Sequence, residues 1–176
     1  MKLIAGLGNP GDKYKKTRHN LGSRVINIFV SKYKLESLKI EKKFKSNISI
    51  NTFKDEKTIL CQPQTFMNNS GQSIKALADY YKIPSQDILI IHDDIDLELG
   101  QVKLQKNRGS AGHKGVRSVI DALQTKDFLR IRMGIASANQ PEINTEEFVL
   151  KNFSPAEEQI IYQSIKKAAE LIAEAF

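Results

Sequence analysis

The stretch KLIAGLGNPG, Lys2 to Gly11, decides the reading of the fold. Its first six residues are a short apolar run that closes on glycine, the pattern of a buried strand. Its last six, Gly6-Leu7-Gly8-Asn9-Pro10-Gly11, match the G-x-G-x-x-G fingerprint of dinucleotide binding. That fingerprint needs a helix starting within the glycine turn, whose N-terminus can hold a pyrophosphate. It also needs a second strand with an acidic residue about 20 residues on. Here the glycines lead into Lys13-Tyr14-Lys15-Lys16-Thr17-Arg18-His19, which lacks an apolar helical period and reads as a long loop. Residues 25–33 read as helix, and the first acid there is Glu36. Both contexts fail, which sets aside a nucleotide-dependent oxidoreductase. Gly6 and Gly8 are instead expected to let the strand end turn tightly.

Further along the chain, residues 22–35 place Val25, Ile26, Phe29, Val30 and Tyr33 at helical spacing. Residues 47–53 and 57–62 read as paired strands around a turn at Lys54-Asp55-Glu56. Ile74, Leu77, Ala78 and Tyr81 mark one face of a helix over 71–82, and Ile88 to Ile91 a buried strand. A short strand at 101–105, a helix at 114–124 and a strand at 128–135 follow. Ser154-Pro155-Ala156-Glu157 can cap and start the last helix, with Ile160, Ile161, Ile165, Ala168 and Ile172 as its apolar face. Alternating strands and helices predict an α/β fold: one domain, residues 1–176, with a mixed, mainly parallel central sheet flanked by helices.

The 176 residues, 40% of them hydrophobic, suffice for a sizeable core and exclude a disordered chain. The formal charge of +7 favours a polyanionic partner such as nucleic acid. The single cysteine, Cys61, cannot form an internal disulfide and fits a reducing cytoplasm. The apolar run at the N-terminus is too short for a signal peptide, and none approaches the ~20 residues of a membrane span. A cytoplasmic protein is expected. The charge run Lys39 to Lys45 reads as solvated surface.

The chemistry-bearing residues gather after two strands. Asn9, Tyr14, Arg18, His19 and Asn20 follow the first, and His92-Asp93-Asp94-Ile95-Asp96 follow the run ending at Ile91. Sites in open α/β sheets lie at the carboxyl ends of strands, so Asn9, His19 and Asp93 converge if these two strands are neighbours. The acidic cluster suggests a hard cation. Asp94 and Asp96, however, point the same way only if the strand continues beyond Ile91. A loop is expected there, and no metal.

At this level of detail the sequence resembles the bacterial peptidyl-tRNA hydrolases. The resemblance spans nearly the whole chain and rests on four blocks in order: GLGNPGDKYKKTRHNLG (6–22), TFMNNSG (65–71), HDDIDLELG (92–100) and GSAGHKG (109–115). A weaker fifth runs from Phe128 to Phe153. The resemblance implies a monomeric, cofactor-free enzyme with one mixed-sheet α/β domain. Its partner is peptidyl-tRNA, at the acceptor stem and 3′ end. It cleaves the ester joining peptide to tRNA and so frees tRNA for reuse. His19 is then the general base, Asp93 its orienting carboxylate and Asn9 a polar group beside the reacting carbonyl. Met67 and Asn68 hold the peptide end, and Tyr14 lines the same cleft. The family clamps the tRNA 5′-phosphate with two basic residues. Arg132 matches one, whereas Gln105 stands at the other, flanked by Lys103 and Lys106. Lys114 stands where the family has a substrate-binding asparagine. It keeps N–H donors, adds charge and loses the acceptor. Arg108, Lys114 and Arg117 either extend a basic surface toward the acceptor stem or are merely solvated cations.

The residue chemistry agrees with these roles. There is no G-x-S-x-G elbow, and Ser110 sits in the wrong pattern for one. Cys61 reads as an inert buried thiol. Water is therefore the expected nucleophile. A neutral imidazole suits its activation near pH 7, and a carboxylate on the other ring nitrogen fixes the tautomer. Asn9 and Asn68 are both candidates to donate to the oxyanion. The rival reading is an RNA-binding module that kept the fold and lost the enzyme. The presence of His19, Asp93, Asn9 and Asn68 argues against it.

Overall fold

Leu3, Ile4 and Ala5 are all fully buried, so β1 (Lys2–Gly6) is covered by apolar side chains on both faces. In the computed structural model, which describes residues 1–136 and 144–175, β1 pairs in parallel with β4 (Glu56–Pro63) and β5 (Ile88–Glu98). On its other side β5 pairs in parallel with β7 (Leu129–Ala136). The antiparallel strands β2 (Lys39–Glu41), β3 (Ser46–Phe53) and β6 (Val102–Lys106) complete a seven-stranded sheet of order β2-β3-β4-β1-β5-β7-β6. This is the expected mixed sheet, with four parallel strands at its centre.

Two apolar layers hold helices on its faces. Ile4, Leu60, Leu89 and Ile91 pack against α1 (Leu21–Lys32) and α5 (Pro155–Ala175). Leu3, Ala5, Ile59, Ile88 and Ile90 pack against α2 (Ser70–Tyr81) and α3 (Lys114–Leu123). The faces read from periodicity hold, except that Ile160 lies at the rim, 46% exposed. Tyr33 terminates α1, ahead of Lys34 in the left-handed region. The capping box forms: the Ser154 N–H donates to Glu157 Oε2 at 2.7 Å, and the Glu157 N–H to Ser154 Oγ at 3.3 Å. Among the described residues no helix is long and apolar enough to cross a membrane.

Two expectations are corrected. β5 does not end at Ile91 but runs to Glu98, because the carboxylates of Asp93 and Asp94 find partners inside the protein. Asp94 accepts from Arg132 Nε at 2.6 Å, while Asp96 is exposed, so the two do not act as one cation site. The charge run Lys39 to Lys45 is solvated as expected, exposed throughout except at buried Phe44, and it contains β2, an edge strand held by backbone pairing. Gly6 serves close packing rather than a tight turn: a Cβ there would lie 2.2 Å from the carbonyl oxygen of Gly22, so the two glycines let α1 press onto β1. A short helix outside the expectations, α4 (Thr145–Val149), lies beyond β7. Residues 137–143, within the weak fifth block, lie outside the described residues.

Candidate active site

β1, β4 and β5 are neighbours, and a cleft of about 630 Å³ is lined by the segments after β1 and β4, by Asp93 within β5, by the segment leading into α3 and by α4. Asn9, Tyr14, His19, Met67, Asn68, Asp93 and Lys114 all line it. The sequence blocks around 6–22, 65–71, 92–100 and 109–115 thus converge, as expected for Asn9, His19 and Asp93.

His19 lies in a 3-10 turn, Arg18–Asn20, that is anchored from behind. Arg18 donates to the carbonyls of Lys151 and Asn152 and to both carboxylate oxygens of Glu157, and its guanidinium stacks on Phe148 and Phe153. Glu157 is the capping residue of α5, so the longest helix fixes the histidine turn through one charge-assisted fork. His19 Nδ1 lies 2.9 and 3.0 Å from the two oxygens of Asp93. Burial pushes the Asp93 carboxyl up, but the imidazoles of His19 and His113 beside it outweigh this and hold it well below the usual carboxylate range. Asp93 is therefore ionised and accepts only, so Nδ1 of His19 carries the proton. Nε2 of the neutral ring keeps its lone pair.

Asn9 is oriented as tightly. Its backbone N–H and carbonyl exchange hydrogen bonds with the side-chain amide of Asn20, each at 2.9 Å. Its own Oδ1 accepts the N–H of Met67 at 2.8 Å. With the oxygen engaged, the Nδ2 amino group is the edge Asn9 offers to the cleft. Met67 is buried, whereas Asn68 is exposed. Phe66 and Leu150, 58% and 45% exposed, add apolar wall. Lys114 meets Glu146 across the cleft at 2.7 Å, from the start of α3 to α4.

The chain has three histidines, and all three stack here. His113 lies between His19 and His92, with ring centroids 4.8 Å from each. His113 Nδ1 accepts the N–H groups of Gly115 and Val116, and its Nε2 lies 3.0 Å from Asp93 Oδ1. His92 donates Nδ1–H to the Asp93 carbonyl at 2.7 Å. Burial, reinforced by His113, pushes the His92 imidazole down to about 3. No role for His113 follows from periodicity or spacing: it stands at the N-cap position of a helical pattern, but histidine is not among the residues that signal a cap. The donor atoms of His19, Asp93 and His113 lie within 4.8 Å of one another, a spacing compatible with a cation. Their hydrogen bonding favours protons instead. To ligate through Nε2, His113 would have to carry its proton on Nδ1, where two backbone N–H groups already point.

The basic residues expected to hold tRNA lie apart from the cleft, on β6 and β7. Arg132 is 3% exposed, its Nε engaged by Asp94 and its Nη1 by Gln105 Oε1, each at 2.6 Å. Lys103, opposite it in register, is exposed. Lys106 pairs with Asp127 at 3.1 Å. Cys61 is fully buried, and burial raises its thiol to about 12, so it is inert as expected.

A family model described as peptidyl-tRNA hydrolase matches residues 3–176. Peptidyl-tRNA hydrolase of Oceanobacillus iheyensis is 46% identical over 174 residues, 98% of this chain and 90% of that protein. A crystal structure of a peptidyl-tRNA hydrolase complexed with N-propanol superposes with a TM-score of 0.92 at 31% identity, covering 99% of this chain and 88% of that one. The crystal structure of peptidyl-tRNA hydrolase from Acinetobacter baumannii gives a TM-score of 0.89 at 32% identity, over 97% and 85%.

Proposed function

The chain belongs to the peptidyl-tRNA hydrolase family of ester hydrolases, and from that premise we propose that His19 and Asp93 activate the water that cleaves the ester. One observation carries this reading: His19 donates Nδ1–H to a buried, ionised carboxylate, which leaves Nε2 as a base at the cleft. Nε2 takes a proton from water as the oxygen attacks the ester carbonyl. Asp93 steadies the imidazolium. The Nδ2 amino group of Asn9 donates to the oxyanion of the tetrahedral intermediate, an interaction typically worth about 3–4 kcal/mol of barrier. Collapse breaks the bond to the ribose oxygen, which takes the proton back from His19. The products are a peptide carboxylic acid, which gives its proton to solvent, and a tRNA with its terminal hydroxyl restored. Met67, Asn68 and Tyr14 hold the peptide end, against the apolar surface of Phe66 and Leu150. Lys114, released from Glu146, engages the phosphate next to the terminal adenosine. Lys103, Lys106 and the Arg132 edge meet the acceptor stem, and the enzyme works as a cytoplasmic monomer.

The test uses N-blocked and free-amine aminoacyl-tRNA, each with and without EDTA. Cleavage of the blocked substrate alone, insensitive to EDTA, is expected, and His19→Ala abolishes it while sparing tRNA binding. Near-normal turnover by His19→Ala would remove the general base, and EDTA sensitivity would bring in a metal.

A further inference from the structure

We infer that His113 is a positioning residue, which ties the Asp93 carboxylate to the N-terminus of α3 and so holds the His19–Asp93 pair in its working geometry. This rests on the general-base reading of His19. The inference starts from the two ring nitrogens. Nδ1 accepts from Gly115 at 3.1 Å and from Val116 at 3.2 Å, so it carries no proton. The proton of the neutral ring is then on Nε2, which donates to Asp93 Oδ1 at 3.0 Å. One side chain thereby satisfies two otherwise unpaired donors of a helix start and one oxygen of the carboxylate. Serine, aspartate or asparagine is the usual residue for the first task alone. The imidazole adds reach, enough to span from the cap to Asp93.

The ring cannot easily turn away. His19 lies against one side, tilted by 42°, and His92 against another, at 73°. Asp93 is 1% exposed, so water is poorly placed to replace a lost donor. Asp93 is thus gripped at three points: both carboxylate oxygens by His19, one of them also by His113, and the backbone carbonyl by His92. Loss of His113 frees the carboxylate to rotate toward other partners, and the His19 ring turns with it.

Steady-state kinetics on N-blocked aminoacyl-tRNA and thermal unfolding, compared across His113→Asn, His113→Ala and His19→Ala, test this. Asparagine keeps an oxygen for the cap but has no second nitrogen at Asp93. His113→Asn is expected to lower kcat about 10- to 100-fold, with KM changed less than about twofold and Tm nearly unchanged. His113→Ala is expected to lose as much kcat and about 2–4 °C of Tm in addition. A kcat for His113→Asn within about twofold of the parent, beside an inactive His19→Ala, overturns the inference. Full activity of His19→Ala sinks the general-base reading instead. Should His113→Asn lose stability too, imidazole ¹⁵N NMR of the unaltered enzyme decides. A bare Nδ1 on His113 supports the positioning role, and a protonated Nδ1 overturns it.

Discussion

Asp93 receives two imidazole donors on a carboxylate that water scarcely reaches, and that crowding has a cost in acid. His92 is held down to about 3 by burial and by His113, whereas an unfolded imidazole titrates near 6.5. Between those values the unfolded chain binds a proton that the folded chain refuses, so acid favours unfolding. Asp93, held low in the fold, adds to this as pH falls through about 4. Stability is therefore complete above about pH 6.5 and is expected to fall below it, by up to about 1.4 kcal/mol per pH unit for each such proton. Urea midpoints between about pH 7.5 and 4 measure it, and His92→Gln should flatten the upper part of the decline. An equally steep decline in that variant would assign the proton elsewhere. Asn9→Asp keeps an acceptor for the Met67 N–H and removes the donor at the cleft. Its kcat is expected to fall roughly 10²- to 10³-fold with little change in Tm, and a loss below about tenfold would rule Asn9 out as the oxyanion donor. Asn9, His19 and Asp93 are legible in the sequence because they sit in dense polar blocks after apolar runs. The double duty of His113 is not, because it depends on a carboxylate 20 residues away.

The seat of α1 shows how closely an element is set by its neighbours. A Cβ on Gly22 would lie 2.2 Å from the Ile91 carbonyl oxygen and 2.6 Å from the Leu7 nitrogen, backbone atoms that cannot swing aside. Gly22→Ala is expected to destabilise the protein by about 3 kcal/mol or more, read from denaturant midpoints. It should also slow turnover, since the helix begins one residue after the turn that carries His19. An unchanged midpoint would mean that α1 can shift freely. Helices with a clear apolar period are legible from sequence, as is the capping box at Ser154, because the physics of each is local. The polar half of β5 is not, since Asp93 and Asp94 tolerate a strand only through His19, His113 and Arg132. Nor is β2, whose side chains are exposed and whose only hold is backbone pairing.

Over the whole molecule, function depends on strand order: β1 between β4 and β5 brings three blocks to one cleft, and His113 joins the fourth to Asp93. Motif spacing hints at that order but does not dictate it, because neighbours in a sheet are chosen by packing across the full chain. The +7 charge is a property of the same scale. Affinity for tRNA is expected to fall linearly in log–log plots against salt, and Lys103→Ala should lower the slope by about one without moving Tm. Arg132→Ala should differ in kind, costing about 3–5 kcal/mol of stability by stranding buried Asp94. Equal and purely salt-dependent effects of the two substitutions would mean that Arg132 serves the RNA alone and that Asp94 does not depend on it. The cleft also varies in stiffness. Its floor is Asp93, gripped at three points, but its rim is bridged by Lys114 and Glu146, whose side chains are 58% and 71% exposed. A pair so exposed is worth at most about 1 kcal/mol, little more than thermal agitation supplies. Opening this rim therefore carries almost no energetic penalty, while the floor around Asp93 stays fixed. Such a combination of yielding edge and rigid base suits an ester hydrolase whose substrates share the bond to be cut and vary in the peptide attached to it.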